Sequence, residues 1–149
     1  MRPTSLLLAS ALLLFAGRAL ALDDAQSIDL AKLGDAREPV HAEAHGHELD
    51  CEGVLLTTLL QAQLGLSTEK LRGRALTGTV RVAARDDYAV VFSFGELDPT
   101  LGDTRVYVVD RCDGKPLSEE DGPVRLIVPG DKRPARWVRQ VRSISVTNP

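Results

Sequence analysis

The stretch "GPVRLIVPGDKRPARWV", Gly122 to Val138, holds most of what the sequence says about the fold. It begins as a short apolar strand rich in β-branched residues. Pro129-Gly130 then breaks it, a pair that marks a turn. Lys132, Arg133 and Arg136 follow within five residues, with Trp137 next. These residues leave two readings open. The cations could form an anion pocket, since the arginine fork suits phosphate or sulfate oxygens. Alternatively they are a solvated face whose arginines pair with acids elsewhere, with the indole plugging the core. Arg133, Arg136, Arg139 and Arg142 recur every three residues, which fits either reading.

Outward from that stretch the pattern is strand-like. "PVHAEAH" alternates, with Val40, Ala42 and Ala44 on one face and His41, Glu43 and His45 on the other. Gly46 permits a turn, and "HELDC" returns as a second strand. "LTGTVRVAA" and "YAVVFSF" read as a hairpin about Arg85-Asp86-Asp87. "TRVYVVD", "VRLIVP" and the closing "RSISV" are further strands, and "GELDPTL" is a short helical or looped link. "GVLLTTLLQAQLG" is the clearest helix, with a stripe of Leu55, Leu56, Leu59, Leu60 and Leu64, and Gly65 as its stop. Ser67 to Leu71 adds one short helical turn with Ser67 as N-cap, which accounts for the Ser67-x-x-Lys70 pattern without catalysis. The fold class is α+β: a mainly-β mixed domain with one main helix.

The first 21 residues read differently. Arg2, an apolar run from Leu6 to Ala16, and Ala19-Leu20-Ala21 have the layout of a secretory signal peptide, too short to span a membrane. Cleavage after Ala21 leaves residues 22–149 as one domain of 128 residues, long enough for a real core. The leader holds two of the 18 cations and none of the 21 acids, so the mature chain carries 16 against 21, a net charge of −5. An acidic chain with one Trp, two Tyr and three Phe excludes nucleic acid as a partner, which needs basic surface and stacking rings. The expected location is the periplasm or the outside of the cell, with no membrane span after cleavage.

Cys51 and Cys112 are the two cysteines, and an exported chain with an even count points to a disulfide. Closing that loop would stabilise the fold by roughly 3–4 kcal/mol. His41, His45 and His47, with Glu43 between them, form a candidate Zn²⁺ or Cu²⁺ site. Against it, three ligands along one strand are spread over roughly 13 Å, so a bend at Gly46 is needed. No G-x-S-x-G, G-x-G-x-x-G or P-loop occurs, and the carboxylate pairs fall in turns.

A longer series of motifs now bears on the family. Glu52-Gly53-Val54 with Leu59-Leu60, Asp113-Gly114-Lys115-Pro116-Leu117, Gly122 to Gly130 and Arg136-Trp137-Val138 resemble the oxidoreductase molybdopterin-binding domain of the sulfite oxidase family. The resemblance covers roughly residues 50–146. It implies that family's mixed domain of twisted sheets. Lys132, Arg133 and Arg136 would stand where the family holds its anionic pterin cofactor. It also implies a molybdenum-ligating cysteine in a loop upstream of the helix, and Cys51, two residues before Gly53, does not match that position. The leader has no twin arginine, so the chain is expected to be threaded unfolded and to leave a pterin behind. The expectation is a shortened, exported, non-catalytic relative that binds an anionic ligand or a periplasmic protein partner. Two alternatives stand beside it: a pterin redox protein completed by a partner subunit, and a metal-binding protein using the histidines.

Overall fold

The computed structural model describes residues 26–149, so the expected leader lies outside the described residues. Among the described residues nine strands form two antiparallel sheets. The first has the order β1 (Gln26–Ser27), β9 (Val141–Thr147), β4 (Thr79–Ala84), β5 (Ala89–Ser93). The second pairs β2 (Glu38–Ala44) with β3 (His47–Leu55), and β3 with β6 (Tyr107–Cys112). The other edge of β6 carries two short strands, β7 (Lys115–Pro116) and β8 (Arg125–Ile127). The main helix, α1, spans Leu56–Leu64, and a single-turn helix, α2, spans Phe94–Leu97. The mainly-β reading with one main helix therefore holds.

Period-2 alternation sorts the side chains. In β4, Val80 and Val82 are buried while Arg81 is exposed, and in β5 Val90 and Phe92 point inward while Val91 faces out. Ile144 and Val146 of β9 complete that face. Val54, Val108, Leu126 and Ile127 from the second sheet join them in one core, with Leu56, Leu59 and Leu60 of α1. Truncating any one of these leucines to alanine removes contacts on all sides and costs about 2–5 kcal/mol. β8 also bonds towards the first sheet, through Leu126 N–H to the Val138 carbonyl (2.7 Å) and Val141 N–H to the Val124 carbonyl (2.9 Å). The segment Val124–Leu126 thus ties the second sheet to the chain entering β9.

The helix starts at Leu56, three residues after the beginning of the segment "GVLLTTLLQAQLG" that reads as helical. Gly53, Val54 and Leu55 remain in β3, paired with Val109, Val108 and Tyr107 after a bulge at Glu52/Gly53. The strand wins because Gly53 lies directly on β6: a Cβ there would sit 2.4 Å from Val109 Cγ1 and 2.8 Å from the Val108 carbonyl oxygen. Gly65 ends the helix as expected, in the left-handed conformation (φ 65°), with Leu66 N–H returning to the Leu60 carbonyl.

The expected helical turn at Ser67 does not form. Ser67 Oγ accepts from Glu69 N–H at 3.3 Å, and the next helical segment is a 3₁₀ turn at Gly73–Thr77. The competitor is Asp98, fully buried, whose carboxylate accepts from Leu71 N–H (2.8 Å) and from both the N–H and the hydroxyl of Thr100 (2.7 Å each). It anchors the loop in an extended course. Burial pushes the Asp98 carboxyl upward, but these donors outweigh it and its pKa lies below the ordinary aspartate value.

Cys51 and Cys112 face one another in the β3–β6 register and are joined as a disulfide. The bridge spans a sequence separation of 61 residues, worth about 4 kcal/mol in the chain-entropy model.

Candidate functional site

The basic stretch after β8 folds into its own small knot. Pro129-Gly130 turns the chain, with Asp131 N–H bonded to the Val128 carbonyl at 3.0 Å. A 3₁₀ turn at Pro134–Arg136 then drives Trp137 into the core, where it is 5% exposed and donates to the same Val128 carbonyl (3.0 Å). The indole is a core plug.

Arg136 is engaged on every side. It forks onto Asp131 (Nε–Oδ2 2.9 Å, Nη2–Oδ1 2.6 Å), reaches Glu96 Oε1 at 2.5 Å and lies over the Phe92 ring at 4.9 Å. The hydrogen bonds to Asp131 raise its pKa above the ordinary guanidinium value. Arg142 pairs with Asp87 at 2.7 Å. Lys132 and Arg133 are exposed, and neither has an ion pair among the described residues. The expected grouping of Lys132, Arg133 and Arg136 around an anion is therefore not what the geometry draws, because Arg136 already holds two carboxylates. Had an anion pocket been lined by all three, Asp131 and Glu96 would have had to face elsewhere.

The histidines are also distributed. His41 Nδ1 contacts Asp50 Oδ1 (2.5 Å) across the β2–β3 hairpin. His45 leaves the strand at the turn with φ 54°, so it does not share the face of His41. His47 opens β3 opposite Ala44. Among the described residues no group of three His, Cys, Asp or Glu side chains is placed to hold a metal ion. The bend expected at Gly46 is present, and it puts His45 and His47 at one cleft while His41 stays on the hairpin beside Asp50.

What the fold does gather is a different set. A cleft of about 460 Å³ is lined by His45, His47, Asp121, Arg125, Trp137 and Arg139, among others. Arg125 projects into it from β8. Its side chain is only 11% exposed, and its one ion contact is Nη1 to Asp121 Oδ1 at 3.3 Å. Its Nε is buried with no acceptor among the described residues. Burial pushes its pKa down, Asp121 pushes it up, and Arg139 pushes it down again. An arginine so placed stays protonated, so the cation is held with its Nε–H unmatched. Arg139 donates to Glu120 Oε1 at 2.8 Å and stands 4.0 Å from Asp121 Oδ1. Two guanidinium groups and two imidazoles thus face a cleft with one carboxylate, Asp121, in its wall.

Arg125 is inconspicuous in the sequence because it sits inside the apolar run "VRLIV". The available signal was its isolation: a charged residue within a strand buried on both faces lies inside unless the chain bends around it.

A second opening of about 510 Å³ includes Pro39, His41, Arg105, Tyr107 and Pro129. Its arginine is already placed, with Nε donating to the Tyr107 hydroxyl (2.9 Å) and Nη2 near Glu38 (3.2 Å). Among the described residues its lining has no buried side-chain donor left without a partner, which sets it apart from the Arg125 cleft.

Fold and cleft together define a small disulfide-bridged domain of two antiparallel sheets with a cationic, tryptophan-walled cleft. No family model matches the chain, and no curated protein matches it.

Proposed function

We propose that this chain is an exported, non-catalytic binding module that holds a small oxyanion-bearing ligand between Arg125 and Arg139. The carrying observation is the buried Arg125 guanidinium, which among the described residues has one counter-charge, Asp121 at 3.3 Å, and an Nε without an acceptor. A buried donor left unmatched costs about 1–3 kcal/mol, more when charged. An oxyanion entering the cleft would recover that cost, and its affinity would reflect it. A carboxylate, sulfate or phosphate group has the geometry to do so.

The scaffold, in this reading, is of the molybdopterin-binding type of the sulfite oxidase family. The support is the motif series between Glu52 and Val138, together with two sheets and one main helix. The residues do not fit that family's metal, which is gripped by a cysteine thiolate. The chain has two cysteines, and both are in the disulfide. A disulfide also accords with an oxidising compartment outside the cytoplasm.

Two measurements test the proposal. Calorimetric titration with inorganic phosphate and sulfate should show saturable binding that Arg125→Met removes, and absence of binding to the wild type would end the oxyanion reading. Metal analysis of protein purified from its native compartment should find no molybdenum, and a stoichiometric amount would end the non-catalytic reading.

A further inference from the structure

The Arg125 cleft does not end at Arg139. A second hollow of about 380 Å³ shares Pro134, Trp137 and Arg139 with it. Beyond those common walls the second hollow is lined by Asp86, Tyr88, Glu120 and Gln140. The two are therefore lobes on either side of one side chain, with opposite character. The first presents Arg125, His45 and His47 with one carboxylate, Asp121, and the second presents two carboxylates, Asp86 and Glu120.

Arg139 is the partition. Its Nη1 is bonded to Glu120 on the acidic side at 2.8 Å, while its Nε lies 4.0 Å from Asp121 on the cationic side. Its side chain is 54% exposed, so it has room to turn. The Tyr88 hydroxyl donates to the Ala135 carbonyl and fixes its ring at the edge of the acidic lobe.

We infer that the two lobes together take a dipolar ligand, with its oxyanion on Arg125 and Arg139 and an ammonium or guanidinium group on Glu120 and Asp86. This rests on the oxyanion reading of the first lobe. The physical reason is an exchange of partners. An oxyanion that draws Arg139 towards Arg125 removes the cation from Glu120. A bare anion leaves that carboxylate to water alone, whereas a ligand with a cationic tail supplies the replacement. The Tyr88 ring offers a face on which such a cation can rest. Glu120 is well exposed, so the tail adds the increment of a surface pair rather than that of a buried one.

The test compares ω-aminoalkyl phosphates of increasing chain length with n-alkyl phosphates of the same lengths, by calorimetry at low salt. At the length that spans the partition, the amino compound should bind about fivefold more tightly. That preference should fall to unity in the double variant Asp86→Asn, Glu120→Gln, and shrink as salt is raised. If alkyl phosphates bind but the amino series shows no preference at any length, the dipolar inference is overturned and the oxyanion reading stands. If neither series binds, both are overturned. A preference that survives the double variant would also sink it, because the tail would then lie elsewhere.

Discussion

Arg125 and Arg136 lie eleven residues apart on one continuous stretch, and they end in opposite electrostatic conditions. Arg136 has a bidentate carboxylate, a second carboxylate and an aromatic face. Arg125 is more deeply placed, yet it has one long ion contact and an unmatched Nε. Partners decide the role of each. An arginine matched on all sides holds the fold together, and one left short of partners is held ready for something else. Asp98 belongs with Arg136, since it is buried completely and matched by three donors.

The comparison can be broken at several points. The largest effect should come from Asp98→Ala, which strands those three donors: its melting temperature should fall further than that of any variant below. The same group sets an acid limit. Its folded pKa is depressed, so its contribution is present above the ordinary aspartate value of 3.8 and is lost as pH falls through the lower folded value. A thermal-melt series should show a steeper acid limb in the wild type than in Asp98→Asn.

Arg136→Ala should cost about 2 kcal/mol by urea titration, from the lost fork and the lost ring contact. It should leave phosphate affinity within about twofold, and a large loss would return Arg136 to the ligand site.

Arg125→Met should move the other way. Removing a buried cation with an unmatched Nε–H, whose partner Asp121 keeps Arg139 beside it, should stabilise the domain by about 1 kcal/mol while abolishing phosphate binding. A destabilised variant would mean that Arg125 is a strut after all, and the contrast with Arg136 would vanish.

Lys132→Ala and Arg133→Ala should give the smallest effects, within about 0.5 kcal/mol in stability. The affinity of either variant for phosphate should stay close to that of the wild type.

The strands and hairpins were legible because their signals are local. The alternation in "PVHAEAH" and "TVRVAA" needs no partner to be read, and Gly46 and Gly65 mark the turn and the helix end. The disulfide was legible from the count of cysteines and their setting. The helix start was not, because only the contact of Gly53 with β6 keeps three apolar residues in the strand. Nor was the Ser67 turn, whose fate is settled by Asp98, about thirty residues away. The Arg125 cleft was not legible, for a related reason. Density of charge along the chain drew attention to Lys132, Arg133 and Arg136, while the carboxylate that matches Arg136 from outside that stretch, Glu96, lies forty residues earlier. A charge becomes notable when the fold fails to match it, and that is a property of space rather than of sequence.

Trp137 is the single tryptophan of the chain, and it walls both lobes of the groove. The protein therefore carries its own optical reporter at the spot where an occupant would arrive. Emission from one indole, with no label and no competing signal of its kind, should shift or quench as either lobe fills, so a cuvette is enough to follow the occupancy of this domain.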